Sequence, residues 1–311
     1  MSTSATFSTW PSYVSLLRSG ELTARAERAW ERLSRCSLCP RRCRVDRLAG
    51  ELGACRTGVL ARVASAGPHF GEEASVVGRG GSGTIFFAGC NLACAFCQNY
   101  EISHLCKGRE EKAADVARMM LELQDLGCEN INFVSPSHVV PQILAALLLA
   151  AENGLRLPLV YNTGGYDALA TVRLLDGVVD IYMPDMKYAD DRVGERLSGV
   201  PDYVGRNRAA VLEMHRQVGD LEVDERGVAR RGLLVRHLVL PEGLAGTAAV
   251  TRFIATEVSA DTYVNIMNQY RPVYEAARSP NLYREIARPL KVHEYRAAVE
   301  EALAAGLHRL D

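Results

Sequence analysis

The run Gly89-Cys90-Asn91-Leu92-Ala93-Cys94-Ala95-Phe96-Cys97-Gln98-Asn99 follows directly on an apolar, strand-like stretch, Thr84-Ile85-Phe86-Phe87-Ala88. Its three thiols stand at the spacing Cys-x3-Cys-x-Phe-Cys. Three clustered thiolates can bind three irons of a four-iron cluster and leave the fourth iron open to another molecule. Most protein-bound clusters of this kind use four cysteines. A three-cysteine set therefore points to chemistry at the open iron rather than to electron transfer alone. The competing reading is a small zinc site or three ordinary buried cysteines.

Outward from this run the chain alternates strand and helix. Strands are expected at 84–88, 130–135, 157–162, 178–183, 233–240 and 263–267. Helices are expected at 113–126, 139–153, 167–175, 207–217, about 246–258 and 292–305. In the helix at 113–126, Val116, Met119, Met120, Leu123 and Leu126 share one face, and Gly127 is its stop. Repeated β–α units imply parallel strands, each helix being the crossover that a parallel pair requires. The apolar runs suggest strands covered on both faces. Six strands are too few for a closed eight-stranded barrel. Leu221 to Val228 reads as an inserted hairpin turning at Glu225 to Gly227. Upstream, 10–34 reads as helix, with Trp10, Tyr13, Leu16, Leu17, Leu22, Ala26 and Leu33 as apolar positions and Gly20 and Thr23 as candidate breaks. The glycine-rich stretch 67–83 reads as a loop lying over a site. The expected division is an N-terminal segment, 1–66, and an α/β unit, 67–311.

The chain of 311 residues can bury a full core. With 36 Lys plus Arg against 37 Asp plus Glu, the net charge of −1 gives no electrostatic case for a nucleic-acid protein. No apolar run is long enough to span a membrane, and the start, MSTSATFSTW, has no basic segment leading into an apolar core. Nine cysteines fit metal binding in a reducing cytoplasm better than a disulfide framework. Four of them, Cys36-x2-Cys39-x3-Cys43-x11-Cys55, lie in a non-periodic segment rich in Arg and Gly. Four thiolates satisfy a tetrahedral zinc site, or each corner of a second four-iron cluster. Reduced, unmetallated thiols are the alternative. Cys106 and Cys128 read as small apolar residues.

Ligands in parallel α/β folds bind at the carboxyl ends of the strands. The candidates there are Ser135, Ser137 and His138; Asn162 with Gly164-Gly165; Asp185 and Lys187; Arg236 with His237; and Asn268 to Arg271. Lys187 and Arg236 suit a carboxylate, Ser135 and Ser137 an ammonium group, and Asp185 or Asn162 a ribose. Gly164-Gly165 would let the backbone approach a ligand closely. Ser135 and Asp167 are also plausible helix caps. His138 is either a proton donor or acceptor beside the site or a packing residue. A buried Arg236 needs a partner, and Asp185 is a candidate.

The Cys90–Cys97 spacing resembles the signature of the radical S-adenosylmethionine (SAM) superfamily. That likeness implies an open, six-stranded partial (β/α)6 barrel, here with an N-terminal helical and Cys-rich metal-binding extension. It implies Cys90, Cys94 and Cys97 as ligands of a [4Fe-4S] cluster, SAM as cofactor, and Phe96 near the adenine, with Asn99 and the strand-end residues around it. It also implies an external low-potential donor such as flavodoxin or ferredoxin. Several runs resemble the PflX-type proteins, usually described as pyruvate formate-lyase activating enzymes. They are Gly81 to Phe87, Cys97 to Ser103, Asn130 to His138, Tyr182 to Tyr188, Val235 to Pro241 and Cys36 to Cys43, within residues 36–290. Activases usually carry Gly-Gly-Glu where this chain has Ser135-Pro136-Ser137-His138.

The expectation is thus a cytoplasmic radical SAM enzyme that cleaves SAM to a 5′-deoxyadenosyl radical and abstracts hydrogen from a substrate. A glycyl-radical enzyme, and so a protein substrate, is the activase-like choice. A small molecule or peptide is the alternative, and a non-catalytic metal-binding interaction module the rival from another class. No nucleic acid or membrane partner is expected, and no single catalytic side chain is singled out.

Overall fold

The computed structural model describes residues 11–311. Trp10 and the MSTSATFSTW run, both part of the sequence expectations, lie outside the described residues. Nine strands are described: β1 Ala61–His69, β2 Ser82–Phe87, β3 Arg109–Glu111, β4 Ile131–Val134, β5 Leu159–Thr163, β6 Ile181–Pro184, β7 Glu222–Val223, β8 Ala229–Leu238 and β9 Tyr263–Met267. They form one sheet in the order β3-β1-β2-β4-β5-β6-β8-β7, with β9 also paired to β8. The run β2, β4, β5, β6, β8, β9 is parallel throughout. The fold is mixed α/β with a partial barrel, and its six parallel strands are the six read from the sequence.

Alternation along each strand sorts side chains into two cores. Ile85, Phe87, Ile131, Phe133, Leu159, Tyr161, Tyr182, Leu233, Val235, Val264 and Ile266 face outward into the main core, which the helices cover. Val160, Ile181, Met183 and Leu234 face into the barrel. Further along the same inward faces, polar residues replace apolar ones, Asn162 on β5 and Arg236 on β8. The helix Val140–Glu152 has nine buried residues among its thirteen, which explains its almost wholly apolar composition.

The helical stretch expected over 10–34 is broken at Gly20, one of its two candidate breaks: Tyr13–Ser19 and Glu21–Glu31 are separated there at φ 77°. Two expectations need correction. The helix expected at 167–175 runs only over Leu169–Leu174, and Asp167 does not cap it. Its carboxylate accepts hydrogen bonds from the hydroxyls of Tyr161 and Thr163. Residues 67–83 are not a loop over the site. Their first part is the end of β1, antiparallel to β2, and the expected division at residue 66 falls within that strand. Pro68 and the small residues of β1 weaken its sequence signal. Pro68 is tolerated because β3 pairs only with Ala61 to Val63, leaving one side of β1 free at Pro68.

The rest of that stretch enters the barrel. Val76 packs against Val160, Ile181, Met183 and Leu234, and its carbonyl accepts from Asn130 Nδ2 at 2.7 Å, just ahead of β4. The segment therefore closes the amino-terminal end of the barrel, opposite the cysteine run. The inserted hairpin is as read, with Glu222 opposite Arg231.

His237 shows how tightly β8 is held. Its ring is buried, with Nδ1 at 2.6 Å from the Met186 carbonyl and Nε2 at 2.9 Å from Thr247 Oγ1. Burial pushes the imidazole down to about 4. A base depressed on folding contributes stability that is present above its unfolded value and lost as pH falls toward the folded one. His237→Gln is therefore expected to remove about 3 kcal/mol of the stability lost between about pH 6.5 and 4. Urea denaturation at a series of pH values reads the difference.

Candidate active site

The cysteine run leaves β2 through Gly89 at φ 84°, where a side chain would meet the Cys55 carbonyl at 2.4 Å. The run is then pinned from outside. Ala93 and Ala95 donate backbone hydrogen bonds to Ser198 and Leu197 at 2.9 and 2.8 Å, and Ala95 accepts from Ala276. Asn91 Nδ2 donates to the Tyr166 carbonyl at 2.6 Å. Cys94 Sγ lies 2.9 Å from Ser198 Oγ, itself 2.6 Å from the Tyr188 hydroxyl. Cys97 Sγ lies 3.1 Å from Ser103 Oγ. The helix Asp191–Ser198, which supplies Ser198, is absent from the sequence reading. Its signals are there in the Asp190 cap, which accepts from Arg192 N–H, and the Gly199 stop at φ 65°.

The three thiols share a cavity of about 250 Å3 at the carboxyl ends of the strands. Of the residues the sequence singled out, Phe96, Asn99, Ser135, Asn162, Gly164, Asp185, Lys187 and Arg236 also line it. Ser137 and His138 do not. Ser137 Oγ is buried 3.0 Å from Thr163 Oγ1. His138 is buried with Nε2 at 3.1 Å from the Ala88 carbonyl, and burial pushes its ring down to about 4. Both are buried beneath the strand ends and outside the lining of this cavity. Ser135 makes no cap bond; it takes φ 57° at the head of a short 3-10 turn, Pro136–His138.

Facing the thiols is a buried charge network. Lys187 Nζ meets Asp185 Oδ2 at 2.5 Å, and Arg236 meets Asp185 Oδ1 at 2.9 Å. Arg236 also donates to Asn162 Oδ1 at 2.6 Å. Burial opposes the charge on Asp185, but Arg236 and Lys187 outweigh it and hold the carboxyl below its ordinary range. Burial likewise opposes the Lys187 charge, and Asp185 reverses that effect. The expected Arg236–Asp185 pairing is therefore present.

Two further carboxylates belong to the network and were missed. Glu72 Oε2 lies 3.5 Å from Arg236, and Glu73 Oε1 accepts from Asn265 at 3.0 Å and lies 4.0 Å from Arg236. In sequence Glu72-Glu73 sits among glycines and reads as solvated; only the re-entry of this segment into the barrel buries it. Burial, more than the relief from Arg236, decides the direction for Glu72 and raises its carboxyl.

Of the Gly164-Gly165 pair, Gly164 lines the cavity and Gly165 is committed to a contact within the chain. A side chain at Gly165, φ 77°, would fall 2.0 Å from the Asp185 carbonyl and 2.3 Å from Asn207 Nδ2. The close approach is between chain segments. Asn207 donates to the carbonyls of Gly165 and Asp185 at 3.0 and 2.9 Å, and the Tyr203 hydroxyl accepts from Lys187 N–H at 3.1 Å. Tyr203 and Asn207 thereby fix the backbone that carries Asp185 and Lys187.

Burial raises the Cys90 thiol to about 12 and the Cys94 thiol in the same direction, so both stay protonated until a cation displaces the proton. Three thiols around a cavity of this size could hold a cluster with one corner facing inward. Among the described residues no three His, Cys, Asp or Glu side chains are gathered so as to hold a single metal ion, at either set of cysteines. Among the described residues no helix is long and apolar enough to cross a membrane.

The model of the radical SAM superfamily matches residues 84–228, which include the cysteine run and four of the six parallel strands. The chain belongs to the radical SAM superfamily. It is an enzyme of that superfamily, whose chemistry depends in general on SAM and an iron–sulfur cluster. An uncharacterized protein of Methanocaldococcus jannaschii is 32% identical over 274 residues, covering 83% of this chain and 74% of that one. Two solved structures are also similar. A radical SAM methyltransferase from Sphaerobacter thermophilus has 15% identity and a TM-score of 0.49, covering 73% of this chain and 65% of its own. SuiB from Streptococcus suis, bound to its precursor peptide SuiA, has 14% identity and a TM-score of 0.46, covering 69% and 43%. The chain thus spans less than two thirds of either structure's length.

Arg236→Met leaves Asp185 and Glu72 buried without their shared cation. It is expected to cost about 3–5 kcal/mol of folding stability, measured by urea denaturation, with a smaller loss in the Asp185→Asn, Arg236→Met double variant.

Proposed function

We propose that the protein cleaves SAM reductively and uses the resulting 5′-deoxyadenosyl radical to abstract hydrogen from a small molecule or peptide. The observation that carries this reading is one cavity with three thiols on one wall and the Lys187–Asp185–Arg236 network on the other. Cys90, Cys94 and Cys97 would hold a four-iron cluster, which when bound supplies the electron for cleavage.

The chain's own residues then have separate tasks. SAM carries a carboxylate, an ammonium and a sulfonium, a net charge of about +1 near neutral pH. The buried network has carboxylates at Asp185, Glu72 and Glu73 against cations at Lys187 and Arg236, a surplus of acid that complements such a ligand. Lys187, whose ammonium is at the cavity wall, would take the SAM carboxylate. Asn162 and Asp185 offer acceptors to an ammonium or a ribose hydroxyl. Phe96, set edge-on to Tyr270 at 5.7 Å, would present a fixed apolar surface to the adenine.

Two features favour a small or flexible substrate over the glycine loop of a folded protein. The strand end at Ser135 brings no carboxylate to the cavity where activases have one. At the rim, Gln98 Nε2 donates to the Gln269 carbonyl at 3.1 Å and bridges the mouth, and residues 67–83, expected as a movable cover, are instead built into the sheet and the barrel.

Anaerobically reconstituted protein with dithionite and SAM is expected to release 5′-deoxyadenosine, and Cys94→Ala to release none. Wild-type protein that yields no 5′-deoxyadenosine sinks the proposal. Deuterium carried into the product from a labelled small molecule or peptide supports the substrate class. Transfer only from a glycine Cα of a folded partner overturns it in favour of the activase reading.

A further inference from the structure

The four leading cysteines come together. Cys36, Cys39, Cys43 and Cys55 line one cavity with Arg47 and Asn91. Residues 36–58 contain no helix or strand, yet the path is closely defined. Arg44 N–H donates to the Cys36 carbonyl and Cys36 N–H to the Val45 carbonyl, both at 2.9 Å. Gly53 must lack a side chain, because a Cβ there would lie 2.9 Å from Cys43 Sγ, and Ala54 N–H points at that sulfur from 3.4 Å.

Two observations mark this segment, and the second calls for an anionic occupant. Arg42, Arg44 and Arg56 take positive φ of 44°, 58° and 54°, flanking Cys43 on both sides and following Cys55. Left-handed backbone at non-glycine residues costs about 1–2 kcal/mol each, and persists only where the surroundings over-determine it. Next, Arg47 is only 1% exposed. Its guanidinium donates to the carbonyls of Gly58 and His138 at 2.6–2.9 Å. No carboxylate pairs with it among the described residues. A buried cation needs an opposite charge, and a metal centre ringed by four thiolates carries net negative charge.

The cavity also adjoins the first cysteine run. The Cys55 carbonyl packs against Gly89, and Arg41 Nε donates at 2.5 Å to the carbonyl of Asn91, which lines the cavity itself. The chain at Gly89 to Asn91 thus touches the segment that carries the four thiols. Around them Arg42, Arg44 and Arg56 are exposed, as is Leu52, a basic surface with an apolar edge.

We propose that Cys36, Cys39, Cys43 and Cys55 hold a second iron–sulfur cluster that is the electron entry to the Cys90 site. Four thiols match the four corners of a cluster. An acidic, low-potential one-electron donor, a reduced flavin or iron–sulfur protein, would be oxidised by one electron on the basic surface. That electron would pass to the Cys90 site, with no bond made or broken and no proton moved. The relay rests on the function proposed above; the second centre does not.

The test is a variant lacking the first set, Cys90→Ala with Cys94→Ala and Cys97→Ala, reconstituted anaerobically with iron and sulfide. Roughly four irons and four sulfides per chain, with a paramagnetic cluster after dithionite, are expected. One zinc, or no metal, overturns the proposal. For the relay, a variant with the four leading cysteines changed to Ser should keep 5′-deoxyadenosine formation driven by dithionite and lose that driven by reduced flavodoxin. Equal retention of both overturns the relay. Should the fourfold variant not fold, Cys43→Ser alone decides the same question by the ratio of the two activities. If wild type makes no 5′-deoxyadenosine while the triple variant holds its irons, the proposed function fails and the second centre stands.

Discussion

The pairing of Asp185 with Arg236 is the constraint on which the site depends. The two residues come from the ends of neighbouring parallel strands and meet inside the barrel, largely shielded from water. Buried charges are tolerated only with partners and satisfied hydrogen bonds. Each therefore recruits others: Lys187 to the second oxygen of Asp185, and Asn162 and Glu72 to the guanidinium. The result is a polar wall fixed in place before any ligand arrives. Preorganisation of this kind spares a ligand the cost of ordering the groups that receive it.

The two ends of the barrel divide the labour. At the amino ends, Val76 and its apolar neighbours fill the interior and the chain closes over it. At the carboxyl ends the strands finish in polar residues and the chain opens into loops that carry the thiols. Between the two lie Glu72 and Glu73, which face the Arg236 layer from below. The cysteine run itself is held by backbone bonds from Leu197, Ser198 and Ala276 and by side-chain contacts from Ser103 and Ser198, so its thiols converge on the cavity through packing on a distant helix.

The N-terminal segment is more than an appendage. Its first two helices pack on the main core, and its cysteine-bearing stretch lies against Gly89 and Asn91. The buried Arg47 joins the two by bonding the carbonyl of His138, at the end of the turn after β4. His138, attractive in sequence as a proton carrier, is better understood as part of this joint.

The sequence by itself determined the local chemistry: the three-thiol spacing, the six parallel strands, the strand-end positions of Asp185, Lys187 and Arg236, and the four leading thiols. Each is written in contiguous residues, because periodicity and ligand spacing are short-range signals. Only the tertiary structure decided which of these residues meet. It turned Ser137 and His138 away from the cavity and brought Glu72 and Glu73 into it. It spent Gly165 on contact with Asp185 and Asn207, and set the leading cysteines against the Cys90 loop. The physical reason is that burial and pairing of charges are long-range properties. Glu72 and Arg236 are far apart in the chain, and nothing in the neighbourhood of either one records that the barrel will press them together.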